Sequence, residues 1–283
     1  MRLLKGTILL LGVVAVMASC RDREPDMTLV QETWYREYLI NRIQADDVWN
    51  LTIVQDDGPS YVELEYSAFL QEYMRINQSD GAFRFYLTSH PHLPNNTVLK
   101  ATIHTPFLYA LNLNKAATAV IDGAFQGDID VTLESGCFCK GGSFTGTTGS
   151  LKLRSNAQMV DFNVNATRCD VLVEGSSTFK GTLMASEELT IAMLDDARLT
   201  NYGGSAAKVQ AGLQGNCSLN LLETEVDRME IDSRSSEAFV NVSEVLGGSL
   251  ADTSILYYQR HPGLVLNLAV DTTSFLSPLN TKF

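Results

Sequence analysis

The sequence predicts an all-β solenoid with coils of 20 residues, because three columns recur at that period between Leu111 and Thr253. The first and third positions of successive blocks are apolar: Leu111/Leu113, Val131/Leu133, Leu151/Leu153, Val171/Val173, Ile191/Met193 and Ala211/Leu213. They fade at Ile231/Ser233 and Ala251/Thr253. The fifth and sixth positions carry turn chemistry in Ser135-Gly136, Ser155-Asn156, Gly175-Ser176, Asp195-Asp196, Gly215-Asn216 and Ser235-Ser236. The ninth position is apolar throughout: Ala119, Cys139, Met159, Phe179, Leu199, Leu219 and Phe239. One such block buries too few side chains to stand alone, whereas stacked blocks turn the columns into one continuous core. Eight coils at ~4.8 Å each give a body on the order of 35–40 Å long.

The chain start reads as an address. Arg2 and Lys5 precede an uncharged, mostly apolar run from Gly6 to Ala18, shorter than the roughly 20 residues a membrane helix needs. Residues 1–19 are therefore expected as a signal peptide. The run ends in Met17-Ala18-Ser19-Cys20, which resembles a bacterial lipobox and marks Cys20 for lipidation. An ordinary signal peptide with Cys20 there by chance is the alternative. Residues 20–30 are then the lipidated cysteine and a tether, and Arg21 to Met27 is charged enough for that role. Acidic residues directly after such a cysteine resemble surface-export signals of Bacteroidota lipoproteins. Each acyl chain contributes ~0.8 kcal/mol per buried methylene, so a multiply acylated cysteine would hold the chain to the outer membrane.

Without Arg2 and Lys5, 19 of the 21 basic residues remain against 33 acidic ones, a formal charge of −14. That balance argues against nucleic acid and anionic membrane surfaces as partners. An exported chain meets an oxidising compartment, so Cys137, Cys139, Cys169 and Cys217 are permitted to pair. Cys137 and Cys217 lie four coils apart, roughly 19 Å, beyond disulfide reach. Cys139 and Cys169 fall in apolar columns and are expected as core thiols, with a bridge between them left open.

Glu32 to Ile43 is expected to lead in as an extended strand over the open end, with a short helix as the alternative. Val48–Gln55 and Tyr61–Tyr66 alternate on either side of Asp56-Asp57-Gly58-Pro59 and read as a hairpin-like pair. Tyr73–Ile76 and Phe83–Leu87 read as the next pair, around Gln78-Ser79-Asp80-Gly81. An irregular loop, His90 to Asn96, precedes a strand over Thr97–His104. Strands before 106 can cover one exposed end. Pro262 to Leu279, alternating through Leu264, Leu266, Leu268 and Val270, can cover the other. Residues 31–283 are thus expected to form one solenoid domain, with a split near residue 106 as the alternative.

This order of segments (polar turn, Tyr-Val-Glu-Leu-Glu at 61–65, Asp80-Gly81 before a short strand, then Ser- and Gly-punctuated coils) resembles a known family. It is similar to the head domain of "putative autotransporter adhesins", first recorded as a domain of unknown function in Bacteroidota lipoproteins. The similarity runs roughly from Val48 to Pro262. Tyr258-Gln259-Arg260-His261-Pro262 keeps the tyrosine and proline of the family's Tyr-x-Gly-x-Pro pattern, with Arg260 in place of glycine. The resemblance implies a right-handed β-helix-like fold at the cell envelope, with no catalytic residues to carry over.

The candidate chemistry is thin. Asp195-Asp196 could act as paired carboxylates, yet both sit on the turn column. Asp56-Asp57 also reads as a turn, and Asp128 and Asp130 flank Ile129 on a strand surface. His90 and His92 form a His-x-His pair that would need His104 or an acidic neighbour to hold a metal. His261 has no partner visible in sequence. No nucleophile elbow and no phosphate loop occurs, so no catalytic, metal or cofactor residues are assigned. Tyr109, Tyr202, Tyr257 and Tyr258 fall partly outside the apolar columns, and aromatic faces suit sugar or protein contacts. Tyr202, Tyr257 and Tyr258 are the candidate ligand contacts, although Tyr257-Tyr258 could equally pack on the C-terminal cover. The expected function is a lipid-anchored, non-catalytic, adhesin-like binding or structural module whose partner is a glycan or an envelope or matrix protein. The alternative is a carbohydrate-active lyase or hydrolase on a β-helix.

Overall fold

The computed structural model describes residues 25–35, 39–79, 82–89 and 91–279. The proposed signal peptide, Cys20, Tyr38 and His90 lie outside the described residues. Strands, numbered β1 to β21 in chain order, wind into two stacked faces. One face stacks β6 (Ala82–Leu87), β2 (Arg42–Ala45), β8 (Ala110–Leu113), β10 (Ile129–Leu133) and β12 (Thr148–Leu153). It continues through the second halves of β13 (Gln158–Glu174) and β14 (Thr178–Leu194), β16 (Ser205–Gln214), the second halves of β17 (Ser218–Arg234) and β18 (Glu237–Ala251), and β20 (Val265–Val270). The other face stacks β1 (Leu29–Tyr35), β4 (Tyr61–Ser67), β7 (Leu99–Thr105), β3 (Asn50–Gln55), β9 (Thr118–Gln126) and β11 (Phe138–Thr145). It continues through the first halves of β13 and β14, β15 (Arg198–Asn201), the first halves of β17 and β18, β19 (Ile255–Gln259) and β21 (Phe275–Leu279). Between the faces runs one core from Ile40 to Leu256.

The turn column explains the tight corner. Ser135, Gly136, Ser155, Asn156, Gly175, Ser176, Asp195, Gly215 and Ser235 all have φ between 53° and 85°, the left-handed region that these residue types tolerate best. Neighbouring corners still bond to one another, as in Gly136 N–H to Ser155 O at 2.9 Å and Asn156 N–H to Gly175 O at 2.8 Å. Just past the corner runs a column of small buried residues: Ala117, Cys137, Ala157, Ser177, Ala197 and Cys217. At the opposite edge Phe125, Phe144 and Phe162 stack at 5.4 and 5.0 Å. The four cysteines among the described residues are unbridged and buried. Desolvation lifts the thiols of Cys139 and Cys169 to about 12 and that of Cys137 to about 11.

The first coil is out of order. β2 and β3 run parallel between the strands of 82–105 and those of 110–126, with Ile43 beside Leu111, Ala45 beside Leu113 and Leu51 beside Ala119. Residues 48–66 are therefore not a hairpin: β3 pairs with β7 and β9, whereas β4 pairs antiparallel with β1 and β7. The sequence pattern hid this because the coil at 43–53 precedes its match by 68 residues, which is no multiple of 20. The second expected pair does form, as β5 (Met74–Ser79) antiparallel to β6. A 3-10 turn, Ala68–Glu72, lies between β4 and β5 with Leu70 fully buried. Glu32 clamps the outermost strand by accepting the Tyr66 hydroxyl at 2.7 Å and the Trp34 indole N–H at 3.0 Å. Burial, with Glu32 second, pushes the Tyr66 phenol up to about 12.

Past residue 218 the period slips. Between β17 and β18 the offset falls to 19 residues at Leu219–Ala238 and to 17 at Ile231–Gly248. Ala238, not Phe239, therefore fills the ninth column, and a one-residue slip turns Phe239 to the other side of the strand. The apolar pair of the next coil is likewise Gly248/Leu250, in place of Ala251/Thr253. Gly248 (φ 116°) makes the short coil feasible, since a Cβ there would lie 2.0 Å from the Ile231 carbonyl oxygen. The strands expected to cover the far end instead continue the stack: β20 lies parallel on β18 and β21 on β19.

Candidate functional site

The slip that ejects Phe239 also builds the most distinctive surface feature. Phe239 stacks on Tyr257 at 4.9 Å and 14°, and Tyr257 meets the edge of Phe275 at 6.5 Å and 67°. These three rings climb the outside of successive strands β18, β19 and β21. Phe275, 55% exposed, is the ring most open to solvent. The ladder runs into the last coil, where Val265, Leu266 and Val270 are also exposed. Asp271 organises the turn joining β20 to β21. It accepts from Ser274 N–H at 2.7 Å, Asp252 N–H at 2.9 Å and Thr273 N–H at 3.0 Å. Ser274 first, then the Asp252 amide, hold its carboxyl down to about 2.

Of the three tyrosines singled out from sequence, Tyr257 belongs to this ladder. Tyr258 faces the other way, pairs with Val240 and packs against the core. Tyr202 is 52% exposed at the corner after β15, two residues past Thr200, which is itself three strand steps, or ~14 Å, from Tyr257 through Asn220 and Phe239. Tyr109 stacks on Phe107 at 5.9 Å, with its ring over Gly127. Thus the tyrosines do not converge. Phe239 and Phe275 were missed, the first because the 20-residue frame placed it in the core.

The titratable candidates resolve into local roles. Asp195 is a left-handed turn residue, and Asp196 accepts from Asn216 Nδ2 at 3.1 Å. Asp128 accepts the Thr147 and Thr148 amides at 2.8 Å each, which holds its carboxyl below the usual range. His104 stacks on Tyr61 at 4.1 Å, its Nδ1 lying 3.6 Å from Asp56 and its Nε2 3.8 Å from Glu63. These contacts hold His104 beside Tyr61, Asp56 and Glu63, and the His-x-His pair lies partly outside the described residues. His261 Nε2 meets Asn241 Oδ1, a partner 20 residues back. A shallow cavity of about 290 Å³ at the N-terminal end is lined by Glu32, Glu63, Glu65 and Lys100. Lys100 pairs with Glu65 at 3.1 Å, Glu63 faces His104, and Glu32 holds Tyr66 and Trp34. Among the described residues, no group of three or more His, Cys, Asp or Glu could hold a metal ion.

Comparison with known proteins places this geometry. None of the curated proteins matches the sequence. The fold is shared by a "putative adhesin" of Parabacteroides merdae, with 12% identity, a TM-score of 0.65, and coverage of 90% of this chain and 98% of that one. A "putative adhesin" of Parabacteroides distasonis is similar at 15% identity and TM-score 0.62, and a "putative lipid binding protein" from the same organism at 12% and 0.56. Both comparisons cover 90% of this chain and 98% of the other. The family model described as "putative auto-transporter adhesin, head GIN domain" matches residues 40–262, which span every coil from β2 to β19. The chain therefore belongs to the auto-transporter adhesin head GIN domain family.

Proposed function

We propose that the protein is an envelope-anchored lipoprotein, held to the outer membrane through acylated Cys20, whose solenoid is a non-catalytic adhesin-like module. One observation carries the binding assignment: the outward ladder Phe239–Tyr257–Phe275. Partly exposed aromatic rings on adjacent strands, Phe239 beside Tyr257 and Phe275 diagonal to it, offer apolar platforms of the kind that sugar rings stack upon. A surface glycan is therefore the favoured ligand, with Tyr257 at the centre of the contact. The family membership supports an association with the cell surface or envelope. The neighbour described as lipid-binding makes an acyl chain the competing ligand for the same apolar end.

The enzymatic reading, a polysaccharide lyase or hydrolase, would have to use the Glu63–Glu65–Lys100 cavity. Lys100 and Glu65 are paired with each other and Glu63 lies 3.8 Å from His104, which favours a structural role. A glycan array probed with the chain from Arg21 onward, read beside product analysis of the best hits, separates the two. Binding without turnover that weakens in Tyr257→Ala supports the module. New reducing ends or unsaturated sugars that vanish in Glu63→Gln would replace it with the enzyme.

A further inference from the structure

We propose that the C-terminal end of the solenoid is a homodimer interface, at which two copies meet end to end with β20 of one antiparallel to β20 of the other. The apolar columns of the core do not finish at this end. Leu246 and Leu250 are 0% and 1% exposed beneath it, whereas Leu266 and Val270, which continue the same columns, are 41% and 40% exposed. Core positions thus lie half bare for want of one more layer. Among the described residues β20 pairs only with β18, so its outer edge presents unmet N–H and C=O groups.

Three observations select a second copy as that layer. A twofold axis sets each charge near its own duplicate, which an acidic surface would resist. This chain has a net charge of −12, yet between His261 and Leu279 its only Asp, Glu, Lys or Arg is Asp271. With β20 centred on the axis, the two Asp271 residues fall at opposite ends of the paired strands, roughly 20 Å apart. The other end, moreover, offers no matching parallel edge: it finishes in β1, antiparallel to β4, and in β5, antiparallel to β6, and the turn bearing Leu70 lies between β4 and β5. Head-to-tail stacking into a filament is thereby blocked, leaving the closed twofold pair. Finally, Pro278 in β21 lacks an N–H, so β20 is the strand able to extend the sheet.

The contact is small. Six-residue strands and faces ~10 Å apart give on the order of 400 Å² per copy, about 800 Å² in total, below the roughly 1,000 Å² of a stable interface and in the range of a weak, transient one. Dimerisation is therefore expected to depend on concentration. The paired body would direct the two N-termini away from each other. The inference does not depend on the nature of the ligand.

Sedimentation equilibrium of the chain from Arg21, which keeps every described element, tests it across a concentration series. The expected mass rises toward twice that of the chain. Leu266→Lys, which sets an ammonium on each side of the axis, is expected to remain monomeric with an unchanged circular dichroism spectrum. Should Leu266→Lys misfold, Val265→Lys, on the 50% exposed outer side of β20, takes its place. Tyr202→Ala, remote from the end, should dimerise as the parent does. A parent chain that stays monomeric at its highest soluble concentration overturns the inference, and so does a dimer that survives the lysine.

Discussion

At the N-terminal end the parallel stack gives way to antiparallel β5 and β4, and a 3-10 turn tucks Leu70 beneath them. At the C-terminal end β20 and β21 continue the parallel stack to its last layer, leaving Leu266 and Val270 half bare. A stack of parallel coils supplies no way to end itself, because each coil presents the same edge as the one beneath. Ending it takes a change of strand direction, and that change costs the chain its regular order: the first coil is laid down, left for the cap, and then enclosed between later strands. The end that keeps the rhythm keeps its exposed edge.

The largest effect that can break this contrast is a cavity under the cap. Leu70→Ala removes a fully buried side chain and is expected to cost about 2–5 kcal/mol. Leu266→Ala, half bare already, should cost below about 1 kcal/mol. Urea unfolding of both variants measures the difference, and equal losses would erase the distinction between the ends.

Within the stack, Gly248→Ala drives a Cβ onto the Ile231 carbonyl and is expected to destabilise by about 1–3 kcal/mol. Gly212→Ala, with nothing within 4 Å of the new carbon, should stay within about 0.5 kcal/mol. Urea midpoints again provide the readout. A null result at Gly248 would mean that the short coil does not depend on it.

Thiol chemistry gives a smaller, all-or-none signal. With Cys139 and Cys169 held at about 12 and Cys137 at about 11 by desolvation, the native chain from Arg21 should leave these three unmodified by a disulfide reagent at pH 8. All four thiols should then react in urea without reductant. Two reacting thiols would reveal a bridge.

The smallest effect is local. The Asp271 carboxyl is depressed from 3.8 to about 2, so its contribution is complete above the unfolded value and fades as pH falls from about 4 through about 2. Amide exchange at Thr273 and Ser274 should quicken in that window while the Ser155–Asn156 corner stays protected. Equal acceleration at both corners would contradict the role given to Asp271.

The regular coils were legible in the sequence because a parallel stack in constant register repeats every contact at one spacing. The left-handed corners at Ser135-Gly136 and Ser155-Asn156 were readable from residue type alone, as was the turn at Asp195. The small column from Ala117 to Cys217 was open to the same reading, since Ala, Cys and Ser recur there every 20 residues. What resisted were the places where spacing changes. The coil at Ile43–Ile53 has the alternation of Leu111–Ile121 but stands at an offset that no fixed period detects. The 19-residue step to Ala238 reverses the parity of everything after it, so Phe239 reads as core although it faces outward. Tyr257 was singled out with the alternative that it packs on the C-terminal cover, and it does meet Phe275 there, whereas its stacking on Phe239 follows from that same shift.

The most direct test of the central claim, that the outward ladder binds without turning its ligand over, is a titration with the best glycan hit. It compares the parent chain with Tyr257→Ala and Tyr202→Ala. Loss of one stacking contact worth about 1–1.5 kcal/mol predicts an affinity roughly tenfold weaker for Tyr257→Ala, unchanged affinity for Tyr202→Ala, and intact ligand afterwards. Equal affinity for the parent and Tyr257→Ala, or ligand cleaved during the titration, would contradict the account.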